Sequence, residues 1–255
     1  MLLAIDVGNT NITFAAFSGE SLVKEWRIAT SASRTAEEYG VWLSQAMAID
    51  ELRIRDINHV IIGTVVPESL FNLKGLCKRY FGCMPLIIGE PNVDIGMVPQ
   101  IDNPSEAGAD RLVDAVAAHA KYGGPLIVID FGTATTLDVV DAEGNYAGGI
   151  IAPGVNLSLD ALHAAAAKLP RIAIEKPGRV IGKNTIECMQ SGIFWGYISM
   201  VEGLISRMRD EFNGDLKTVA TGGLASLFAG GTTAIDHIDK DLTLSGLVRI
   251  FNNNQ

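Results

Sequence analysis

Cysteine is scarce: only Cys77, Cys83 and Cys188 occur among 255 residues. An odd count argues against a disulfide framework, and apart from one loose pair the spacing is not that of a metal site. The four histidines, His59, His119, His163 and His237, show no ligand spacing either and read as structural or surface residues. No apolar run reaches membrane-spanning length, and Met1 to Ile5 is too short for a signal segment and runs straight into Asp6. Basic residues are outnumbered 20 to 29 by acids, for a net charge of −9. That balance argues against a broad surface for nucleic acid or anionic membrane, although a small phosphate ligand needs only a local positive field. A reducing, cytoplasmic setting is expected, with no nucleic-acid and no membrane partner.

What the chain does have is a globular composition, 48% hydrophobic and 19% charged, with 27 glycines as a modest excess that suits tight turns between strands and helices. In Leu2-Leu3-Ala4-Ile5-Asp6-Val7-Gly8-Asn9-Thr10-Asn11-Ile12, an apolar strand delivers an acid into a turn of small and hydroxyl residues. Gly8 lets backbone N–H groups approach an anion, Thr10 and Asn11 add donors, and Asp6 suits a hydrated metal beside phosphates. A plain polar turn looks the same, so the stretch alone does not decide. Its copy does. In Leu126-Ile127-Val128-Ile129-Asp130-Phe131-Gly132-Thr133-Ala134-Thr135-Thr136, the residues Leu2, Ile5, Asp6 and Gly8 recur as Leu126, Ile129, Asp130 and Gly132, 124 positions on. A repeat of half the chain length implies duplication of a whole domain. Two domains are expected, 1–123 and 124–255, facing each other across a cleft lined by the two acidic turns.

In chain order, the first strand continues through Ile12 to Phe17, turns at Ser18-Gly19-Glu20 and returns over Leu22 to Ile28. Thr35-Ala36-Glu37-Glu38 is a capping box opening a helix with Tyr39, Trp42, Leu43 and Ala46 on one face. His59 to Val65 is β-branched and continuous, hence a buried strand, and Pro67 suits the first turn of a helix running to about Phe81. Leu86 to Ile88 reads as a short strand. Gly89 to Ser105, with Pro91, Pro99 and Pro104, predicts a connector longer than most loops. Ala107-Gly108-Ala109-Asp110-Arg111 opens a helix whose apolar face is Leu112, Val113, Val116, Ala117 and Ala120. In the second half, the strand at Leu126 enters a hairpin turning at Asp141-Ala142-Glu143-Gly144-Asn145. A helix over Asn156 to Lys168 follows, then a basic link over Pro170 to Lys183 and a long helix from Asn184 to Phe212. Val219-Ala220-Thr221-Gly222-Gly223 is a strand meeting a glycine turn, followed by a short helix and a last one near Leu244 to Phe251.

Strand-acid-glycine-hydroxyl occurring twice, followed by strand-Thr-Gly-Gly, resembles the three-part nucleotide site of the acetate kinase, sugar kinase, Hsp70 and actin superfamily over essentially the whole chain. The likeness implies an α/β fold of two duplicated ribonuclease H-like domains, mixed sheets flanked by helices, facing a nucleotide cleft. More closely, Asp6-Val7-Gly8-Asn9-Thr10-Asn11, Gly108-Ala109-Asp110-Arg111, Asp130-Phe131-Gly132-Thr133 and Gly148-Gly149-Ile150-Ile151-Ala152-Pro153-Gly154, in that order, are similar to the motifs of type III pantothenate kinases. This second resemblance implies transfer of the ATP γ-phosphoryl to the primary hydroxyl of pantothenate, giving 4′-phosphopantothenate, the first step of coenzyme A biosynthesis.

By position alone Asp110 is a helix cap or dipole partner, Arg111 a surface ion pair and Thr185 a cap. The resemblance instead implies that Asp110 is the catalytic base and that Gly108, Ala109, Asp110, Arg111 and Thr185 bind pantothenate, with Arg111 suited to clamp its carboxylate. It implies that Asp6, Val7, Gly8, Asn9, Thr10, Asn11, Ile12, Thr13 and Thr133 meet ATP phosphates, that Gly222 and Gly223 sit against the adenosine, and that Asp6 positions magnesium through water. Asp130 matches the ligand of a monovalent cation, potassium or ammonium; it could equally mirror Asp6 beside a divalent metal. Where many members of that family carry a tyrosine, this chain has Ile101, so an apolar contact replaces it or the pocket differs in detail. The long helix carries more apolar residues than a small domain obviously needs; intramolecular core accounts for them by itself, and the resemblance adds a homodimer. The competing readings are another small-molecule kinase of the superfamily and a nucleotide-switched interaction protein, the second disfavoured because no segment is left over for a partner-binding domain.

Overall fold

The strand that carries Asp6 lies at the centre of a five-stranded sheet. In the computed structural model, which describes residues 1–166 and 168–255, β1 (Leu2–Val7), β2 (Asn11–Ser18) and β3 (Ser21–Ala29) form the anticipated antiparallel meander. β4 (His59–Thr64) and β5 (Leu86–Ile87) continue it parallel to β1, giving the order β3-β2-β1-β4-β5. Side chains alternate across the sheet. Leu3, Ile5, Val7, Ile12 and Phe14 take one face, where Tyr39, Leu43 and Met47 of α1 (Ala36–Ile49) and Leu73 and Leu76 of α2 (Leu70–Leu76) bury them. Each such side chain contributes about 1.5–3 kcal/mol on burial. α1 opens with the capping box: Thr35 Oγ1 accepts the Glu38 N–H at 3.2 Å, and the Thr35 N–H donates to Glu38 Oε2 at 2.7 Å. The helix anticipated from Pro67 to Phe81 is built in three pieces, a 3-10 turn Pro67–Ser69, α2, and a π-helical turn Cys77–Phe81.

The second sheet repeats this plan. β6 (Leu126–Phe131), β7 (Ala134–Val140) and β8 (Tyr146–Pro153) form the meander, β9 (Lys217–Thr221) lies parallel to β6, and β10 (His237–Ile238) lies parallel to β9. The order β10-β9-β6-β7-β8 is that of the first sheet read from its other edge, so the duplication extends from one motif to a whole topology. α3 (Ala109–Tyr122) precedes this sheet in the chain; α4 (Val155–Ala165), α5 (Thr185–Phe212) and α6 (Ala225–Ala229) surround the core. The helix anticipated over Asn156 to Lys168 stops at Ala165, and its Ala167 lies outside the described residues. Much of the apolar face of α5 is intramolecular core: Met189, Ile193, Phe194 and Tyr197 are buried with Ile127, Ile129 and Phe131. Phe228 of α6 stacks on Phe131 at 5.1 Å and on Phe194 at 5.6 Å. β10, two exposed residues with no apolar run, had no trace in the sequence pattern.

The final helix, α7 (Leu242–Asn253), places Leu244, Leu247, Val248 and Phe251 at i, i+3, i+4 and i+7. A helix of this length is marginal alone in water. Its stripe is matched by the second face of the first sheet, where Leu2, Ala4, Ala15 and Phe17 pack with it and with Val113 and Val116 of α3. The chain therefore divides discontinuously, into Met1–Val98 with Asp102–Ala117 and Leu242–Gln255, and Pro99–Ile101 with Ala118–Asp241. A single cut between residues 123 and 124 would have left α7 with the second sheet.

Candidate active site

β1 brings Asp6 to the rim of its sheet, and residues 8–11 turn the chain into β2. The Gly8 N–H closes the turn on the Asn11 carbonyl at 3.0 Å. A residue that sequence reasoning passed over braces it: Thr30 Oγ1 donates to the Gly8 carbonyl at 2.6 Å, and the Thr30 N–H donates to the Thr10 carbonyl at 2.9 Å. Two turn carbonyls are thereby committed to the protein, while Asn9, Thr10 and Asn11 stay exposed, the arrangement an anion-binding turn requires. Val7 and Ile12 are buried in the core, so backbone groups are all they can offer a ligand.

Asp110 stands in the first turn of α3, where the helix dipole favours a carboxylate. Its Oδ1 accepts the Arg111 N–H at 2.8 Å and folds back over Gly108, where a Cβ would lie 2.7 Å from that oxygen. Glycine at 108 is thus a condition of the carboxylate's position. Asp110 and Asp6 are electrostatically coupled. Burial, then the Asp110 charge, push the Asp6 carboxyl up from 3.8 to about 6, and the Arg27 guanidinium pulls it back. Arg27 was not singled out from the sequence. Two carboxylates that resist joint ionisation make a place for a cation, and Asp6 fits a hydrated magnesium ion. Among the described residues no group of three or more His, Cys, Asp or Glu side chains converges, so a divalent ion here would rely on water and phosphate oxygens for its remaining ligands.

In the second sheet Asp130 faces Thr136 across its hairpin as Asp6 faces Thr13. This hairpin closes one residue sooner: Phe131 pairs with Thr135, whereas Val7 pairs with Ile12. The Asp130 carboxylate lodges between two glycines. A Cβ on Gly132 would lie 2.8 Å from Oδ2, and one on Gly222, whose φ is 89°, would run into Oδ1 and the Phe131 backbone. The Thr221-Gly222-Gly223 turn, separated from Asp130 by some 90 residues of sequence, therefore abuts it. Thr133 and Gly223 are exposed.

Thr185 is relieved of the capping role its sequence position suggested, because the side chain of Asn184 accepts the Glu187 N–H at 3.0 Å. Thr185 instead lines a cavity of about 600 Å³ with Ser158, Leu162, Cys188, Met189 and Ile193. Ser158 Oγ lies 2.5 Å from Tyr197 Oη, which donates to the Pro153 carbonyl at 2.9 Å; Gly154, next in the chain, lies directly against the Thr133 carbonyl. A short polar chain thus joins the second turn to the cavity; Ser158 carried no sequence signal, and Tyr197 read only as part of the apolar surface of the long helix. Ile101 lies beside Gly148, held there by the Gln100 N–H donating to the Tyr146 carbonyl at 2.7 Å.

A family model described as type III pantothenate kinase matches residues 2–207. The type III pantothenate kinase of Paramagnetospirillum magneticum is 59% identical over 254 residues, covering 100% of this chain and 98% of that protein. That of Rhodospirillum rubrum is 59% identical over 255 residues, covering 100% and 99%. Among solved structures, the activator of the 2-hydroxyisocaproyl-CoA dehydratase from Clostridium difficile with bound ADPNP aligns over 99% of this chain and 95% of that one, with a TM-score of 0.56 at 11% identity. At that identity the likeness is one of fold, and it is the duplicated ribonuclease H-like fold.

Proposed function

This chain belongs to the type III pantothenate kinase family; it transfers the γ-phosphoryl of ATP to pantothenate in coenzyme A biosynthesis, and we propose that Asp110 is the base of that transfer and Asp6 its phosphate-side carboxylate. The observation that carries the assignment is the coupling of these two acids, one at a phosphate-type turn and one at a helix start. The pantothenate hydroxyl oxygen bonds to the γ-phosphorus as the bond from phosphorus to the bridging oxygen breaks. The bonding pair leaves with ADP, and the hydroxyl proton passes to a carboxylate oxygen of Asp110. A base of this kind contributes ~10²–10⁴-fold, the rest coming from position and charge. Magnesium, when bound, neutralises phosphate charge, and Asp6 would hold it through water.

Residues 7–13 and Thr133 cradle the phosphates, Gly222 and Gly223 meet the adenosine, and Gly108 to Arg111 with Thr185 bind pantothenate. Asp130 holds potassium or ammonium, a role supported by its seat between two side-chain-free residues. Exposed Leu162, at the cavity that Thr185 lines, and exposed Leu157 and Ile186, each next in sequence to a cavity-lining residue, support a homodimer, and a monomeric mass by light scattering at working concentration would contradict it. The setting is cytoplasmic; among the described residues no helix is long and apolar enough to cross a membrane. ADP formation with and without pantothenate tests the whole reading. The expected result is strict dependence on pantothenate; equal hydrolysis without it would indicate a nucleotide switch, and dependence on another acceptor a different kinase.

A further inference from the structure

Register across the first sheet puts a cation beside the two acids. Asp6 on β1 pairs with Thr13 on β2, and Thr13 pairs with Arg27 on β3. Directly opposed residues on antiparallel strands share a face, about 4.5–5.5 Å apart, so the three form one row. Leu2 with Phe17 and Ala4 with Ala15 are further pairs on this face, and Val113 and Val116 of α3 pack over it. Asp110 opens that same helix. One rim of one sheet therefore gathers two carboxylates and one guanidinium, and the Arg27 charge reaches Asp6. Arg27 lies exposed on an edge strand. Among the described residues no hydrogen bond or ion pair consumes its guanidinium.

A γ-phosphoryl group in transfer spreads negative charge over three equatorial oxygens. Asp6 and Asp110 repel that charge, and the turn at residues 8–11 carries no cationic side chain. We propose that Arg27 binds the γ-phosphoryl group of ATP and carries part of its charge through the transfer, an assignment that rests on the pantothenate kinase reading above. Arg27 makes and breaks no covalent bond. The hydroxyl oxygen bonds to phosphorus, the bridging oxygen leaves with its electron pair on ADP, the proton goes to Asp110, and the guanidinium fork donates N–H bonds to the phosphoryl oxygens throughout. Lysine would supply the charge without the fork.

The test uses the whole chain with Arg27→Gln, Arg27→Lys and, as control, Lys24→Ala, which removes a cation from the other face of the same strand, where Lys24 pairs with Asp50 at 2.7 Å. Arg27→Gln should lower kcat about 10³-fold, with Arg27→Lys intermediate. The pantothenate KM and the ADP Kd should stay within about threefold of wild type, and Lys24→Ala should behave as wild type. The ratio of ATP to ADP affinity should fall in Arg27→Gln relative to wild type, because only ATP carries the group that Arg27 holds. A kcat for Arg27→Gln within about fivefold of wild type would overturn the assignment. So would a loss of ADP binding as large as the loss of turnover, which would mark a structural role. If the wild type does not phosphorylate pantothenate, the function reading fails, while the ATP to ADP affinity ratio still decides for or against Arg27.

Discussion

Asp6 is held where its charge is opposed. Burial and the neighbouring Asp110 raise its pKa from 3.8 to about 6, so the folded state is penalised once the group ionises. The stability carried by the neutral carboxyl is whole below about pH 4 and is lost as the pH rises through about 6. At about 1.36 kcal/mol for each pKa unit, the gap amounts to at most about 3 kcal/mol at pH 8, less whatever the partly exposed side chain recovers from water. Asn in place of Asp keeps the shape and removes the titration. The Asp6→Asn variant should therefore match the wild type near pH 4 and exceed its stability by up to about 3 kcal/mol at pH 8, while losing kinase activity. Urea unfolding of both proteins from pH 4 to 8, without magnesium or nucleotide, measures the difference directly. A difference that stays flat with pH, or a variant less stable than wild type at pH 8, would refute the account of Asp6.

Asp110→Asn should melt within a few degrees of wild type yet lose ~10²–10⁴-fold in kcat, and near-normal turnover would remove Asp110 as the base. Gly222→Ala forces a side chain into a φ of 89° and against Asp130; it should cost at least about 1 kcal/mol in thermal unfolding and raise the KM for ATP. Thr30→Val deletes the hydroxyl that holds the Gly8 carbonyl, and should cost about 1 kcal/mol while raising the KM for ATP more than that for pantothenate. Activity should be higher in potassium or ammonium than in sodium at fixed magnesium and ionic strength, and Asp130→Asn should abolish the preference.

The two acidic turns were legible because everything that makes them is local: an apolar strand, an acid at its end, and small residues in the turn. The same holds for the capping box at Thr35 and for the apolar periodicity of α3, α5 and α7. The partners of those elements were not local. Asp130 and Gly222 meet because β6 and β9 are parallel neighbours joined by a long crossover. α7 returns to the first sheet because its Leu244, Leu247, Val248 and Phe251 stripe matches the face of Leu2, Ala4, Ala15 and Phe17.

Arg27 shows the limit most sharply. Pairs counted outward from the Gly19-Glu20 turn run Ser18 with Ser21 and Phe17 with Leu22, and an unbroken count would set Trp26 opposite Thr13. A bulge at Val23 shifts the register between Ala16 and Phe17. Side chains alternate with period two, so one extra residue exchanges the faces: Trp26 enters the core and Arg27 joins Asp6. By itself the sequence determined the acids, the glycine turns and the amphipathic helices, because each depends on a few adjacent residues. Only the tertiary structure decided which of them stand side by side, because register and long-range pairing depend on how whole strands and helices bury one another.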